Sequence, residues 1–399
     1  MKQIRIGIYG TGRGWDIAKN FMLLPGCEIV AVCDFHEERR RKVMEQLGND
    51  VAEYTDFESF LRHDMDAVIL ANYFHEHAQA AIQCLERGIH VFSECLSNGT
   101  MADGVALIRA AEKSNAVYML AENYPQMKFN LEMQRVCKGG TLGRLLYAEG
   151  EYNHPVAQSD TAFQKKYVYF DHHWRRYNPP TYYITHSLGP IMRATGATPK
   201  TVTAFIISYE DADNPATRPC GKAMSIVTTQ NDDGTVFRVA VRSSFGGRHN
   251  SYRICGTKGQ IENVRGLGEK VMLRYNPWDA PEGVPETRLY EPSWNDPDEA
   301  VIKRSGHGGS DYLTARMFVE CIRAGKQPEH PFDVHSAVTM SSTAILAYRS
   351  ALDGGKPYEI PDFHLEEQRQ KYEHDTASPH YGSDGSEPTI PCRLGGNLK

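Results

Sequence analysis

The sequence predicts an α/β protein with two domains and a C-terminal tail. A chain of 399 residues is longer than one hydrophobic core usually supports. Over residues 1–123, short apolar runs alternate with helical patterns, which is typical of parallel βαβ units. Over residues 124–361, the strand patterns alternate polar with apolar residues, which favours a second α/β domain with a mainly antiparallel, open sheet. Residues 362–399 form the predicted tail.

In the first domain, each predicted strand is a short apolar run and each predicted helix has an apolar face. The predicted strands are residues 4–9, 28–33, 67–71, 90–93 and 117–121. The predicted helices are residues 15–24, 37–47, 77–87 and 101–114. Pro25-Gly26 ends the first helix and Gly88 the third, because proline and glycine disfavour the helix interior.

The second domain is predicted from strands rich in tyrosine and β-branched residues. These strands are residues 145–152, 201–209, 224–230, 235–243 and 251–255, and the helices are residues 187–195, 312–324 and 336–352. Asp232-Asp233-Gly234 is a predicted hairpin turn. The polar tail, with proline, glycine and serine, is expected to extend over the body or a neighbouring subunit, and a disordered end is the alternative.

Composition argues against several classes of partner. The net charge is −6, and the one basic run, residues 39–42, follows two glutamates as on a solvated helix face, so no nucleic-acid partner is predicted. No segment approaches the roughly 18 to 20 apolar residues of a membrane helix, and no secretory signal is recognised. The nine cysteines include no CxxC pair, which favours a reducing compartment, the cytoplasm.

A glycine-rich loop follows the first strand and opens a helix. Such a loop turns tightly and lets a pyrophosphate approach backbone amides at the helix N-terminus. Its candidate cofactor-binding residues are Gly10, Thr11, Gly12, Arg13, Gly14 and Trp15. Because glycine-rich turns are common, a purely structural turn is an equal alternative for the loop alone. The third glycine of the dinucleotide pattern is missing, since Trp15 occupies its position.

Asp34 strengthens the prediction of a dinucleotide site. It ends the second strand, 22 residues after Gly12, where a carboxylate accepts hydrogen bonds from both ribose hydroxyls. This placement favours NAD, because the carboxylate repels the 2′-phosphate of NADP. A helix N-cap is the alternative role for Asp34, and Arg39 and Arg40 leave NADP open as the cofactor.

Further segments of the first domain carry a family pattern. Residues 67–71 read AVILA and are followed by His-Glu-His at 75–77, and residues 88–94 read GIHVFSE. Over residues 3–123 this register resembles the Gfo/Idh/MocA oxidoreductases. Additional segments similar to that family are residues 255–259 and 306–309. The resemblance implies a Rossmann fold with Asn72, His77 and Glu94 beside the cofactor, and structural roles for His77 and Glu94 are an equal alternative.

The sequence departs from the family at one position that carries chemistry. Glu94-Cys95-Leu96 stands where the family's dehydrogenases have Glu-Lys-Pro, whose lysine helps to move the proton of the hydroxyl being oxidised. A cysteine cannot supply that ammonium, so dehydrogenation by the usual route of the family is not expected. A nucleophilic Cys95 is open as an alternative to a buried structural thiol.

Other segments resemble one branch of the family. Residues 183–190, YITHSLGP, are similar to the Tyr-x-Thr-His-x-Leu-Gly-Pro segment of the NAD-dependent α-N-acetylgalactosaminidase-type glycoside hydrolases. His-Trp-Arg at 173–175, Glu-Asn at 122–123 and GHGGSD at 306–311 also resemble that branch, which lacks the lysine too. The resemblance implies a small carbohydrate or glycoside as substrate. NAD+ takes a hydride from a sugar carbon, expected to be C3, the C2 proton and the C1 substituent are eliminated, water adds, and the hydride returns.

The resemblance also assigns candidate site residues. Tyr183 and His186 are the predicted proton-transfer groups, because they lie i, i+3 at a helix entry and can share one face. Glu122, at the carboxyl end of a parallel strand, is the third catalytic candidate. Candidate sugar contacts are Trp174, Arg175 and His307. Buried aromatic, capping or loop roles are the structural alternatives, and no metal site is predicted.

Two other functions are open from the sequence. An NAD(P)-dependent sugar or polyol dehydrogenase would use Tyr183 or His186 in place of the lysine, and a non-catalytic sensor would only bind a dinucleotide or sugar. The cysteine at position 95 favours the hydrolase over the dehydrogenase, and the Tyr183–His186 pair disfavours the sensor. Subunits are expected to pair through the open sheet of the second domain, since such surfaces are commonly buried in homo-oligomers.

Overall fold

The computed structural model describes residues 3–155, 172–209, 222–242, 246–382 and 384–394. Its strands are β1 (Ile4–Tyr9), β2 (Cys27–Cys33), β3 (Ala52–Tyr54), β4 (Ala67–Leu70), β5 (His90–Ser93), β6 (Tyr118–Leu120), β7 (Leu145–Asn153), β8 (Pro199–Tyr209), β9 (Lys222–Asn231), β10 (Val236–Arg242), β11 (His249–Gly256), β12 (Gly259–Asn263), β13 (Val271–Tyr275), β14 (Thr287–Tyr290) and β15 (Tyr358–Glu359). Its α-helices are α1 (Arg13–Phe21), α2 (Glu37–Leu47), α3 (Phe57–Phe60), α4 (His77–Glu86), α5 (Met101–Lys113), α6 (Lys128–Lys138), α7 (Trp174–Tyr177), α8 (Thr185–Thr195), α9 (Glu299–Ile302), α10 (Ser310–Ala324), α11 (Val334–Leu352) and α12 (Glu366–Arg369). Among the helices so described, none combines the length and apolar character needed to cross a bilayer.

The chain divides into two compact units. Unit 1 consists of Met1–Asn123, Asp296–Val338 and Phe363–Asp375. Unit 2 consists of Tyr124–Asn295, Thr339–Asp362 and Thr376–Lys399. This division differs from the predicted one, in which residues 124–361 formed a single second domain and residues 362–399 a separate tail.

Unit 1 is built on a parallel sheet. Its strands follow the order β3-β2-β1-β4-β5-β6 in the described part of the chain, which is the doubly wound order of dinucleotide-binding domains. The predicted α/β fold with a Rossmann domain is therefore confirmed. All four residues of β4 are buried, as expected for a central strand covered on both faces.

Helix α10 explains why residues 296–338 belong to unit 1. The ring of Phe318 in α10 lies 5.2 Å from that of Phe92 in β5 and 6.1 Å from that of Phe21 in α1, centroid to centroid. Tyr312 and Phe332 are buried in the same core. The amphipathic pattern of this helix was visible in the sequence, but not the sheet that it would cover.

Unit 2 contains the second sheet, with the strand order β14-β13-β12-β11-β7-β10-β9-β8-β15 in the described residues. Only the pairing of β10 with β7 is parallel among the described ladders of this sheet, and the remaining pairs are antiparallel. The predicted mainly antiparallel sheet is thus confirmed. The predicted turn at 232–234 joins β9 to β10, with Gly234 at a φ of 84°. Ser243, the last residue of one predicted strand, lies outside the described residues.

Some elements were missed or misplaced by the sequence patterns. The first helix ends at Phe21 and not at residue 24, because Met22 and Leu23 are apolar but exposed in the following turn. Strands β3, β12, β13, β14 and β15 and helices α3, α6, α7, α9 and α12 were not predicted. Most are short or lie at a sheet edge, where local propensity is weakest.

The described part of the predicted tail is ordered against the body of the protein. Arg369 in α12 is buried and paired with Glu112 of α5. The hydroxyl of Tyr348 donates to the carbonyl of Pro391, 2.6 Å away. These contacts, which the polar composition does not reveal, hold the described part of the tail against the body, while residues 383 and 395–399 lie outside the description.

Candidate active site

The glycine-rich loop of unit 1 has the form of a dinucleotide cradle. Gly10 has a φ of 93°, and a Cβ added there would lie 2.3 Å from the carbonyl oxygen of Ala71, so only glycine fits. Gly12 caps the N-terminus of α1, and the nearest atom to a Cβ at this position would be Arg39 Nη1 at 3.8 Å. The open space beside Gly12 and the backbone amides of the first turn of α1 fit a pyrophosphate.

Gly14 takes over the role of the missing third glycine. A Cβ at Gly14 would come within 3.0 Å of Ile8 Cγ2 and 3.2 Å of Ala71 Cβ. This glycine therefore permits close packing of α1 against the sheet, one residue earlier than in the usual pattern. Trp15, in the position of that glycine, is partly buried beside the core, and Lys19 Nζ lies 5.2 Å from its ring centroid.

Asp34 lies beside the loop at the end of β2. Its Oδ2 accepts hydrogen bonds from the backbone nitrogen of Thr11 at 2.7 Å and from the hydroxyl of Thr11 at 2.5 Å. Its Oδ1 accepts from the backbone nitrogen of His36 at 2.8 Å. Because each carboxylate oxygen has two lone pairs, Asp34 retains acceptor capacity for a ribose hydroxyl.

Arg40 does not have the arrangement expected for binding a 2′-phosphate. It is buried, its Nε donates to Glu53 at 2.5 Å, and its Nη1 donates to the backbone carbonyl of Asp34 at 2.7 Å. Arg39 is partly exposed, with Nη1 near the open side of Gly12. The residues around the loop therefore fit NAD, with Asp34 at the ribose position and Arg40 engaged elsewhere.

Arg13 contacts carboxylates with its side chain. Its Nε donates to Glu94 at 3.0 Å, and its Nη1 and Nη2 donate to Asp311 at 3.2 and 2.7 Å. Asp311 also accepts from Asn123 Nδ2 at 2.6 Å and from His307 Nδ1 at 2.9 Å. The guanidinium of Arg13 belongs to this network. The predicted role of Arg13 in cofactor binding therefore rests on its backbone amide.

Two further predicted cofactor residues are placed by contacts around β4 and β5. The backbone nitrogen of Asn72 would be 2.6 Å from a Cβ on Gly10, so Asn72 adjoins the loop. His77 is buried at the start of α4, and its Nδ1 donates to the carbonyl of Leu96 at 2.8 Å. Burial lowers the pKa of His77. These contacts favour a structural role for His77.

Cys95 and Glu122 are in contact. The thiol of Cys95 donates to Oε2 of Glu122 at 3.3 Å, and the Glu122 side chain is completely buried. Glu122 follows β6, so both residues lie at the carboxyl ends of parallel strands, where open α/β sheets bind ligands. A carboxylate partner does not favour the thiolate form that a nucleophilic cysteine needs.

Unit 2 brings Tyr183 and His186 together. Their ring centroids are 5.3 Å apart, and the ring of His186 also stacks on Tyr124 at 4.3 Å and contacts Tyr152 at 4.9 Å. The hydroxyl of Tyr252 donates to the backbone carbonyl of His186 at 2.6 Å. We call Tyr124, Tyr152, Tyr183 and His186 the aromatic cluster.

Close packing of α8 on the sheet positions this cluster. A Cβ on Gly150 in β7 would lie 2.1 Å from the carbonyl oxygen of Ser187 in α8, so the glycine allows the helix to approach the strand. Residue 186 precedes that contact and Tyr152 follows Gly150 by two residues on β7. The two rings therefore meet, although they are far apart in sequence.

Trp174 and Arg175 lie next to the aromatic cluster. The Arg175 guanidinium carbon is 4.3 Å from the ring centroid of Trp174 and 5.9 Å from that of Tyr183. His173 caps α7 by accepting from the backbone nitrogen of Arg175 at 3.2 Å. The predicted site residues thus fall into two groups, with Tyr183, His186, Trp174 and Arg175 in unit 2 and the others, including His307, in unit 1.

Sequence reasoning missed His154. Its ring stacks on Tyr152 of the aromatic cluster at 5.7 Å, and Arg248 Nη2 donates to its Nε2. Burial lowers the pKa of His154, with further contributions from the charges of Arg248, His186 and Arg175. The Tyr-x-His spacing on one face of a strand was the signal available in the sequence.

Comparison with known proteins finds two family models in separate parts of the chain. Residues 4–122 match the Gfo/Idh/MocA family model, "Oxidoreductase family, NAD-binding Rossmann fold". Residues 224–370 match the model "Glycosyl hydrolase 109, C-terminal domain". The resemblance that the sequence motifs carry is therefore confirmed, and unit 1 contains an NAD-binding Rossmann domain.

Proteins similar to this one match most of its length. It is 26% identical to Glycosyl hydrolase family 109 protein 2 of Akkermansia muciniphila, a match that covers 90% of the chain and 83% of the relative. It is 25% identical to Glycosyl hydrolase family 109 protein 1 of Bacteroides thetaiotaomicron, which covers 91% and 85%. A solved structure of levoglucosan dehydrogenase with NADH and levoglucosan superposes with a TM-score of 0.75 at 17% identity, over 90% of this chain and 100% of that one. The structural match supports the fold.

Proposed function

We propose that the protein is an NAD-dependent glycoside hydrolase that oxidises a sugar hydroxyl transiently, eliminates the group at C1, adds water and reduces the sugar again. The observation that carries this proposal is the pair Cys95–Glu122. At the position of the dehydrogenase lysine, a neutral thiol donates to a buried carboxylate. The similarity to glycosyl hydrolase family 109 proteins supports the same reaction class.

In unit 1, the proposed roles concern the cofactor. When bound, NAD supplies an acceptor for the hydride of the sugar carbon and returns that hydride after cleavage. The amides at the N-terminus of α1 would bind the pyrophosphate, and Asp34 would accept hydrogen bonds from the ribose. Glu122 would orient the sugar or the nicotinamide from the carboxyl end of β6.

In unit 2, the proposed roles concern the protons and the sugar. Removal of the C2 proton needs a base that works near neutral pH, and leaving-group departure needs an acid. Tyr183 and His186, in ring contact, are suited to exchange these protons. Trp174 offers an apolar ring face to a sugar and Arg175 offers hydrogen-bond donors, so both are proposed substrate contacts.

The first experiment measures whether the reaction is redox-neutral. The purified holoenzyme is incubated with nitrophenyl α- and β-glycosides while released nitrophenol and NADH absorbance are followed together. The expected result is nitrophenol release without net NADH, accompanied by incorporation of deuterium from D2O at C2 of the sugar. Exchange at C2 follows from elimination, whereas direct displacement at C1 leaves the C2 proton in place.

The alternative hypothesis, a dehydrogenase, predicts a different result in the same assay. Steady NADH formation from a free sugar or polyol, without nitrophenol release from any glycoside, would overturn the hydrolase proposal. A second variant sharpens this comparison. Introducing the family's lysine by Cys95→Lys, next to Glu122, should increase NADH formation from free sugars relative to Cys95→Ser, which keeps a neutral donor.

We also propose that the chain forms a homo-oligomer through the face of the second sheet. Phe205 and Ile207 on β8 are 62% and 49% exposed, and Glu149 pairs with Arg238 and Arg253 on neighbouring strands. Such a mixture of apolar and charged groups suits a self-complementary surface. Light scattering should give a multiple of the chain mass for the wild type and a smaller mass for Phe205→Asp.

A reducing compartment, the cytoplasm, is supported by the free thiols among the described cysteines.

A further inference from the structure

The loop that precedes α10 holds His307 in an uncommon backbone conformation. The φ of His307 is 53°, and Gly308 and Gly309 follow with φ values of 65° and 97°. A residue with a Cβ adopts this left-handed region at a cost that glycine does not have. Such outliers persist where surrounding contacts impose them, and they concentrate at functional sites.

Asp311 imposes the orientation of the His307 ring. Nδ1 of His307 lies 2.9 Å from Oδ2 of Asp311, whose side chain is only 5% exposed. A Cβ on Gly306 would lie 2.6 Å from that same oxygen, so the glycine leaves room for the carboxylate. The loop is therefore arranged around the contact between the carboxylate and the imidazole.

The charge state of Asp311 decides which nitrogen of His307 carries a proton. Burial alone would raise the pKa of Asp311, but the hydrogen bond from His307 and the charge of Arg13 lower it well below its usual value. An ionised carboxylate accepts hydrogen bonds and cannot donate them. Nδ1 must then carry the proton of a neutral ring, and Nε2 becomes its acceptor nitrogen.

The network also connects this histidine to the cofactor side of unit 1. Asp311 accepts hydrogen bonds from Arg13, which opens α1, and from Asn123, which follows β6. Both donors lie at the carboxyl ends of strands of the parallel sheet, where ligands of this fold bind. Two fifths of the His307 side chain is exposed to solvent, at 41%, so a ligand can reach it.

We propose that His307 accepts the proton of the sugar hydroxyl that is oxidised, and that Asp311 positions it. This inference rests on the proposed function. The O–H bond breaks and its proton passes to Nε2 of His307, while the C–H bond of the same carbon breaks and its electron pair leaves as hydride to NAD+. A carbonyl forms, and both transfers reverse after water has added. His307 is the catalytic residue of this step and Asp311 its positioning residue, whereas Tyr183 and His186 exchange the C2 and leaving-group protons.

Substitutions in the holoenzyme test the pair through its coupling. His307→Gln and Asp311→Asn should each lower kcat by about 10²-fold or more. The kcat of the double variant should be no lower than that of the less active single variant, because the two groups act as one unit. For His307→Gln, NADH affinity should stay within about threefold of the wild type. Lys303→Gln, an exposed change four residues before His307, is the matched control and should leave kcat unchanged. Independent, additive losses for His307→Gln and Asp311→Asn would overturn the pairing.

The tautomer supplies a readout that does not depend on turnover. In ¹⁵N spectra of the histidine side chains, the wild-type His307 resonance should show the Nδ1–H form, and Asp311→Asn should shift the ring toward the Nε2–H form. The assignment comes from the resonance that is missing in His307→Gln. A wild-type His307 in the Nε2–H form would overturn the proposal whatever the activity.

The outcomes separate this inference from the proposed function. If the wild type releases nitrophenol and His307→Gln releases it at a rate within threefold of the wild type, the role of His307 is overturned. The hydrolase proposal then still stands. NADH formation from free sugars without nitrophenol release would overturn the hydrolase, and the variants are then compared on NADH formation, because oxidation of a hydroxyl needs the same proton acceptor. An enzyme without either activity leaves the tautomer measurement to decide.

Discussion

In unit 1 several of the predicted functional side chains are charged and hydrogen-bonded to polar partners, whereas in unit 2 they are mostly rings in contact. Arg13 bridges Glu94 and Asp311 through its guanidinium. In the aromatic cluster of unit 2, by contrast, His186 lies against Tyr124 and Tyr183. The same chain thus builds one region by pairing charges and another by packing rings.

The difference follows from what each group requires when buried. A buried charge is costly unless partners offset its desolvation, so the charged residues of unit 1 are fixed before any ligand binds. Packed rings have no such requirement, because most of their surface is apolar. We therefore expect substitutions in the glycine-rich loop and at Asp34 of unit 1 to change cofactor affinity, and those in the aromatic cluster of unit 2 to change turnover.

The largest expected effect tests the assignment of proton transfer to the aromatic cluster of unit 2. His186→Ala and Tyr183→Phe should lower kcat by about 10²- to 10⁴-fold, because each removes a proton-transfer group. NADH affinity, measured by fluorescence titration, should change less than threefold. Tyr275→Phe on β13 is a matched control that keeps normal turnover. Loss of NADH binding equal to the loss of kcat would break the comparison between the units.

A second prediction concerns the backbone of the cofactor loop. Gly10→Ala should weaken NADH binding by about 10²-fold, corresponding to about 2.7 kcal/mol, because the new Cβ would lie 2.3 Å from the Ala71 carbonyl oxygen. Gly88→Ala is the matched control, since Gly88 has a φ of 74° but no atom within 4 Å of its added Cβ. If the two changes lowered NADH affinity equally, the loss would come from backbone strain in general and not from the clash with Ala71.

A third prediction addresses the choice between NAD and NADP. Asp34→Asn should weaken NAD binding about tenfold, or about 1.4 kcal/mol, because it removes the charge that strengthens hydrogen bonds from the ribose. It should also reduce the discrimination against NADP. Asp50→Asn, at an exposed position, serves as the control. Unchanged NAD affinity in calorimetric titrations of Asp34→Asn would argue against contact with the ribose.

The smallest effect concerns stability and pH. Burial lowers the pKa of His77 below its value of about 6.5 in the unfolded chain. As the pH falls below about 6.5, His77 binds a proton in the unfolded state but not in the folded state, so the free energy of unfolding falls. Above that pH this contribution to stability is fully present. Thermal melts between pH 5 and 7.5 should therefore show a shallower slope for His77→Gln. His374→Gln, at a side chain that is 93% exposed, should leave the slope as it is.

Much of the fold was predictable because its signals are local. The alternation of apolar strands with helices defined the Rossmann domain, and the predicted strand 4–9 and helix 37–47 agree with β1 and α2. The assignment of α10 was not predictable, because its apolar face specifies that it packs but not on which sheet. For the same reason residues 296–338, which lie in unit 1, were predicted as part of the second domain.

The candidate site was predictable in its residues and less so in its contacts. Tyr183 and His186 lie three residues apart at the entry to a helix, so their ring contact follows from helical geometry. The contact of Cys95 with Glu122 joins the ends of two strands, and no local sequence pattern predicts it. Asp311 was likewise unassigned, because its partners Arg13 and Asn123 are far away in the sequence.

The sequence by itself determined the alternation of parallel strands and helices in the cofactor domain, the glycine loop with Asp34, and the family resemblance, since each depends on the backbone preferences and spacing of nearby residues. The tertiary structure alone decided that the Arg13 guanidinium binds carboxylates, that Gly14 packs in place of a later glycine, and that Asn123 donates to Asp311. These contacts join segments separated by up to about 300 residues, and the requirement that buried charges find partners selects among them only once the chain has folded.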